Sequence, residues 1–268
     1  MGFWDTLDHG RLIAAHRGFR AVRAENTMAA FEASIHRCDF VELDVGLSRD
    51  GIPIIIHDDS LERTSDAAEL ADFTPPYTTI DYSYAKLLQL DFSSWFVQKD
   101  PFGTIASGMV SRSILQNLPV QRILTLAEAL SFFKYHQMPV NIEIKDMRGT
   151  DFDGVVTQKV LSAVREAGME TEVLLSSFNH AYVVEAKAMA PEISRAALEE
   201  HTHPEDVVAY LKELGADCYH CEHKIITEEL VKELRGAGIT VNAYTVNTPK
   251  EQERMFSWGV KSVFTDFL

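Results

Sequence analysis

Short apolar runs alternate along this chain with longer stretches in which apolar residues recur every three or four positions. Runs of four to six residues bounded by polar turns read as strands, and the longer periodic stretches read as amphipathic helices. Strands are expected on this basis at Leu12 to Ala15, Phe40 to Val45, Val140 to Ile144, Val173 to Ser176, Ser194 to Leu198, Asp217 to Cys221, Thr240 to Tyr244 and Ser262 to Thr265. Helices are expected over Asn26 to His36, Phe152 to Ala167, His180 to Met189, Pro204 to Leu214, Thr227 to Ala237 and Pro249 to Trp258. Gly168 and Gly238 are placed to end helices, Thr227 and Thr248 to cap helix starts. Strands separated by helices pair in parallel through crossovers. A set of this size closes most economically into an α/β barrel of the TIM (β/α)8 type.

Two segments break the alternation. Ile52 to His57 is apolar but follows Phe40 to Val45 after only the polar stretch Ser48 to Gly51. A parallel crossover does not fit in that space, so the two runs should form a hairpin. A turn centred near Asp50 brings His57 level with Leu43, at the height of Glu42 and Asp44. The second irregularity is 58–124, which carries Pro75-Pro76, an expected helix at Tyr84 to Leu90 and the aromatics Phe92, Trp95 and Phe96. Either a surface excursion with its own small core or a cap over the barrel mouth is expected there. No repeat or linker divides the chain, so residues 1–268 read as one barrel domain with an insertion at approximately 58–124.

The chain has 268 residues and is 46% hydrophobic, enough for a large core, and it has no apolar run of the roughly 20 residues a membrane-spanning helix needs. No membrane insertion is expected. Its net charge of −15 and the absence of a Lys/Arg block argue against nucleic acid as a partner. The N-terminus lacks the basic start and apolar stretch of a secretory signal, so a cytoplasmic location is expected. Of the cysteines, Cys218 and Cys221 form a CxxC spacing, but on a strand they point to opposite faces, which makes joint chelation awkward. Oligomeric state is left open.

The chemistry gathers on the strands. Glu42 and Asp44 are two apart and face the same way, as do Asn141, Glu143 and Lys145. Inward carboxylates are costly to bury unless a cation compensates them, and oxygen ligands suit Mg²⁺, Ca²⁺ or Mn²⁺. His16 directly follows the first strand, at the C-terminal rim where barrels carry their chemistry. Two histidines beside an acid cluster can exchange protons near neutral pH. Arg17 and Lys145 supply the local positive charge that an anionic phosphoryl group requires.

At these positions the sequence resembles the glycerophosphodiester phosphodiesterase family. The matching motifs are His16-Arg-Gly18, Glu25-Asn-Thr27, Glu42-Leu-Asp44, His57-Asp58, Leu61-Glu-Arg-Thr64 and Asn141-Ile-Glu-Ile-Lys145. Ser176-Ser-Phe178, His223-Lys224, Tyr244-Thr-Val-Asn247 and Thr265-Asp266 continue the match in order along the chain. The resemblance implies a TIM barrel that uses one divalent metal, Mg²⁺ first with Ca²⁺ or Mn²⁺ as alternatives, on Glu42, Asp44 and Glu143. It implies His16 and His57 as the catalytic pair, with Arg17, Lys145 and Phe178 binding a small-molecule glycerophosphodiester. Hydrolysis to glycerol 3-phosphate and an alcohol is then expected.

Two features depart from the family's pattern: 97–121 is longer than its usual link, and Tyr244 stands where a tryptophan is common. The rival activities are a lysophospholipase D or sphingomyelinase D-like lipid phosphodiesterase, and a Schiff-base aldolase using Lys145. A binding protein that has lost catalysis is a weaker rival, because the full residue set is present.

Overall fold

The computed structural model describes residues 2–7 and 10–268. Its strands are β1 (Leu12–Ala15), β2 (Phe40–Leu47), β3 (Pro53–Ile55), β4 (Val140–Ile144), β5 (Val173–Ser177), β6 (Ser194–Glu199), β7 (Cys218–Glu222), β8 (Thr240–Tyr244) and β9 (Ser262–Thr265). The order β1-β9-β8-β7-β6-β5-β4-β2, with β1 also pairing β2, closes eight parallel strands into a barrel. β3 lies outside the ring, antiparallel on β2.

The helices are α1 (Met28–Ser34), α2 (Tyr84–Leu87), α3 (Ser94–Lys99), α4 (Arg112–Gln116), α5 (Leu126–Tyr135), α6 (Val156–Ala167), α7 (His180–Met189), α8 (Val207–Leu214), α9 (Glu228–Gly236) and α10 (Pro249–Trp258). α1 and α5 to α10 are the crossovers; α2 to α4 belong to the excursion. Among the described residues, no helix is long and apolar enough to cross a membrane.

The strand pattern follows from burial on both faces. Along β2, Val41, Leu43 and Val45 pack outward with α5 and α6 residues such as Leu130 and Val160, while Phe40, Glu42 and Asp44 occupy the other side. The Cys218 and Cys221 faces differ as their spacing requires. Cys218 joins the inner cluster with Phe3 and Phe40, whereas Cys221 packs in the outer cluster with Leu230 and Val231. The short helical turn Phe3–Thr6 closes the N-terminal floor: Phe3 and Trp4 stack edge-to-face on Phe40, and Trp4 Nε1 donates to Cys218 Sγ. The interior is therefore open to ligands only toward the C-terminal ends of the strands.

The β2–β3 hairpin has the expected register, with Val45 opposite Ile55 and Leu47 opposite Pro53. Continuing it places His57 level with Leu43, although regular pairing stops at Ile55. Gly168 ends α6 in the left-handed conformation, Gly238 follows α9 with φ +82°, and Thr227 and Thr248 cap α9 and α10.

Three expectations need correction. α5 was not anticipated, although Thr125 and Glu128 form a reciprocal capping box at its start. α1 begins at Met28 rather than Asn26, because Asn26 has φ +57° and turns its side chain toward Asp44. The segment 58–124 does build its own cores, one around Leu61, Leu87 and Phe92 and one around Trp95, Phe96 and Leu115. It does not roof the mouth, however, since no residue of 58–124 lines the central cavity among those described. It braces the β1–α1 loop from the side: Thr104 Oγ1 donates to the Ala21 carbonyl, and Phe102 lies 5.3 Å from the Arg20 guanidinium.

That loop depends on Gly18, which has φ +79° and sits so close to α1 that a Cβ would lie 2.8 Å from the Ala30 carbonyl carbon. Gly18→Ala is expected to lower stability by about 1–3 kcal/mol from the left-handed backbone alone. The expected readout is a lower urea midpoint with an unchanged denaturant slope; an unshifted midpoint would show that the loop relaxes freely.

Candidate active site

Adjacent parallel strands assemble the acid cluster. In the β2–β4 register Asp44 stands opposite Glu143, and Glu42 opposite Asn141. One carboxylate oxygen from each of Glu42, Asp44 and Glu143 lies within 4.8 Å of the others. Glu42 and Asp44 are buried, and Asp44 Oδ1 has no hydrogen-bond partner. Burial, then the neighbouring Asp44 and Glu143 charges, raises the Glu42 pKa well above the ordinary range. Burial likewise raises Glu143, with Lys145 opposing. Asp44 falls the other way: burial alone would raise it, but Arg17, His57 and Lys145 outweigh that. With protein charges alone, the cluster holds one firm negative charge and two carboxyls that resist ionisation.

The basic residues close around it. Lys145 Nζ donates to Glu143 Oε1 at 2.6 Å and lies 3.6 Å from Asp44 Oδ1. Burial opposes its charge, but Glu143 and Asp44 hold the Lys145 ammonium above its ordinary pKa. That is the opposite of what a Schiff-base nucleophile needs, so the aldolase alternative loses its chemical basis. Arg17, with φ +57°, donates its backbone N–H to Glu42 Oε2 at 2.8 Å, and its Nε lies 3.3 Å from Asp44 Oδ2.

Each histidine is held by a carboxylate. His16 Nδ1 meets Asp266 Oδ1 at 2.8 Å, and His57 Nδ1 meets Asp58 Oδ1 at 2.5 Å. Both residues line the central cavity, and the carboxylates engage Nδ1 rather than Nε2 of each ring. Burial, with Arg17 next, pushes the His16 pKa down to about 4 against the raising effect of Asp266. His16 is thus neutral at pH 7. Phe178 lies at the opposite wall, 39% exposed and edge-to-face with Tyr244.

The expected residues His16, Arg17, Glu42, His57, Glu143 and Phe178 all line one cavity of ≈ 360 Å³, while Asp44 completes the acid cluster and Lys145 pairs with Asp44 and Glu143. Sequence reasoning gave no role to Glu25, Asn26, Asp58, Arg63 or Asp266, though all fall within the recognised motifs. Glu25, only 6% exposed, accepts from Arg17 Nη1 and Arg63 Nη2 and pairs with Arg20 at 2.9 Å. Arg63 also grips Asp58, so one chain of charges runs from Arg17 to His57. Asn26 Nδ2 donates to Asp44 Oδ2 at 2.8 Å.

Comparison with known proteins gives the family. The model of the glycerophosphoryl diester phosphodiesterase family matches residues 16–268. A glycerophosphodiester phosphodiesterase of Bacillus altitudinis is 33% identical over 95% of this chain and 94% of its own length. Another, from Caldanaerobacter subterraneus, is 29% identical over 95% of this chain and 93% of its own. Among solved structures, an Oleispira antarctica phosphodiesterase in complex with the product sn-glycerol-3-phosphate superposes with TM-score 0.82 at 28% identity. That match covers 100% of this chain and 96% of the other.

The Glu25 cage yields a stability prediction. Burial would raise the Glu25 pKa, but Arg17, Arg63 and Arg20 hold it far below the ordinary range. Its stabilisation is therefore present above the unfolded-state pKa and fades as pH falls through about 4 toward the depressed folded value. Glu25→Gln is expected to cost about 3–5 kcal/mol at pH 7, because three arginines lose their buried counter-ion. Urea unfolding should show the gap to wild type narrowing between pH 5 and pH 3; a pH-independent gap would refute the linkage.

Proposed function

We infer the activity from a premise already met: this chain belongs to the glycerophosphoryl diester phosphodiesterase family. It hydrolyses glycerophosphodiesters to glycerol 3-phosphate and an alcohol. One observation carries the reading: Glu42 and Glu143 line one cavity with His16, His57 and Arg17, while Asp44 completes their acid cluster and Lys145 pairs with it. The product named in the Oleispira antarctica complex supports glycerol 3-phosphate as the product here.

The donor set fits one divalent cation. Three carboxylates within 4.8 Å, an unpartnered buried Asp44 Oδ1 and two carboxyls that resist ionisation all call for added positive charge. All-oxygen ligation of this kind suits Mg²⁺ first, and also Mn²⁺ or Ca²⁺. When bound, the cation supplies Lewis-acid stabilisation of the charge that develops on the phosphoryl oxygens.

The chain's own residues do the rest. Arg17 and Lys145 present cationic donors to the phosphate, with Asp44, Glu42 and Glu143 fixing their positions. The histidines act as a pair. One accepts the proton of the glycerol 2-hydroxyl as that oxygen attacks phosphorus, and the other gives a proton to the departing alcohol oxygen. The roles reverse when water opens the cyclic phosphate. Asp266 and Asp58 keep each imidazole oriented and favour its transient positive charge. Phe178 lines the substrate pocket on the opposite wall.

Exhaustive chelation is expected to abolish turnover of glycerophosphodiesters, with Mg²⁺, Mn²⁺ or Ca²⁺ restoring it; full activity after chelation would refute the metal assignment. His16→Ala and His57→Ala should each lower kcat by about 10²–10⁴-fold with an unchanged circular dichroism spectrum. The same assay includes lysophospholipids. Faster turnover of these than of any glycerophosphodiester would favour the lysophospholipase D-like activity.

A further inference from the structure

The reacting atoms occupy only one side of the cavity. His16 follows β1, and His57 follows the hairpin strand on β2, so the oxygens that exchange protons lie against that side, and the body of the departing alcohol is free to extend away from it. The cavity continues across the barrel to the ends of β6, β7 and β8, where the chemistry above requires nothing. Two carboxylates, Glu200 and Glu222, stand on this wall, next to the edge-to-face pair Phe178 and Tyr244, whose ring centroids are 6.1 Å apart. Beneath them His220 lines the same cavity, fully buried, with neither ring nitrogen hydrogen-bonded. The Tyr244 hydroxyl oxygen is also buried without a partner. Unpaired buried polar groups facing a cavity cost free energy unless a ligand meets them.

The wall is net negative, with Glu200 and Glu222 set against Lys224 and with His223 beside them on the same cavity. Glu222 accepts the Lys224 backbone N–H at 2.7 Å, and its other oxygen lies 3.0 Å from Lys224 Nζ and 3.4 Å from His223 Nδ1. Lys224 is 77% exposed, and an ion pair of that kind is weak and readily exchanged. Glu200 is exposed and pairs only with the outer His201 among the described residues. His220 adds no positive charge, because burial pushes its pKa down to about 3, leaving a ring lone pair available. Carboxylates combined with aromatic rings attract an ammonium group, by charge and by cation–π contact. A neutral alcohol can hydrogen-bond to the carboxylates but gains neither the ion pair nor the cation–π contact.

We propose that this wall is the alcohol subsite and that it selects a cationic amino-alcohol, of the choline or ethanolamine kind, as the departing group. The assignment rests on the glycerophosphodiesterase reading and narrows it. The substrate then lies across the barrel, with its phosphate at the acid cluster and its ammonium against Glu200, Glu222 and the Tyr244 ring.

The test is steady-state kinetics of the full chain with Mg²⁺ on glycerophosphocholine, glycerophosphoethanolamine and glycerophosphoglycerol. Wild type is expected to show kcat/KM roughly tenfold higher for the better cationic substrate than for glycerophosphoglycerol, the size of one desolvated cation contact. Glu222→Gln combined with Glu200→Gln should erase most of that ratio, chiefly through KM. Glu200→Lys, at an exposed position that does not threaten folding, should lower the ratio on its own. Either order between the two cationic substrates supports the subsite. Equal losses on all three substrates would mean that the wall holds the shared glycerol arm, and absence of any wild-type preference would mean that it selects nothing; each overturns the proposal. If no glycerophosphodiester is turned over at all, the underlying activity fails and the subsite with it, an outcome distinct from the other two.

Discussion

The placing of three carboxylates inside a barrel is the constraint on which the rest of this molecule depends. Parallel pairing of β2 with β4 sets Asp44 directly beside Glu143, with Glu42 one step below, and the outward Val, Leu and Ile residues that anchor both strands leave these acids no other direction to face. Like charges so close would oppose folding unless met from another direction. The answer comes from the β1–α1 loop. Arg17 reaches Glu42 through its backbone and Asp44 through its side chain, which requires a left-handed residue followed by a glycine pressed against α1. Glu25 then holds Arg17, and Arg63 ties Glu25 to the excursion. The long segment 58–124 serves as a brace for one loop rather than as a lid.

The same charges divide the chemistry. Asp44 is ionised while Glu42 and Glu143 are pushed toward their neutral forms, so the cluster is poised to trade protons for a cation. Lys145 is stabilised as an ammonium by the neighbours that create this demand. It is suited to holding an anion and unsuited to acting as a nucleophile. A phosphoryl group approaching the cavity therefore meets cationic donors, although the whole chain carries a net charge of −15.

Much of this was legible in the sequence because strand parity is a strict rule. Glu42 with Asp44, and Glu143 with Lys145, could be assigned a common face from spacing alone, and the short Ser48 to Gly51 turn fixed where His57 returns. Cys218 and Cys221 were separable on the same argument. Helix ends were less legible. Asn26 carries a helix-compatible pattern but is drawn out of α1 by its bond to Asp44, and that partner is far away in sequence. α5 had a readable start at Thr125 and Glu128, but it follows an excursion whose irregularity hid it. The excursion's bracing role depends on contacts such as Thr104 to Ala21, which no local pattern encodes.

His16 shows most clearly why local reading ends where it does. The β1–β2 pairing sets its place, but its ring orientation depends on Asp266, which is reached only when β9 pairs with β1 and sets Ala15 opposite Thr265. Those residues are near opposite ends of the chain, and the last ring contact between them, once made, closes the sheet. Asn247 Nδ2 donates to the second oxygen of Asp266, and Asn247 Oδ1 accepts the Asp266 backbone N–H, so the carboxylate that meets His16 is held in place from its other side. His57 needs no such closure, since its carboxylate is the next residue and its height is set by a local hairpin. One histidine of the pair is thus oriented locally and the other by completion of the fold. A barrel left open between β9 and β1 would keep His16 near Glu42 through the β1–β2 pairing and the Arg17 backbone bond, but would leave its imidazole without the Asp266 carboxylate that orients it.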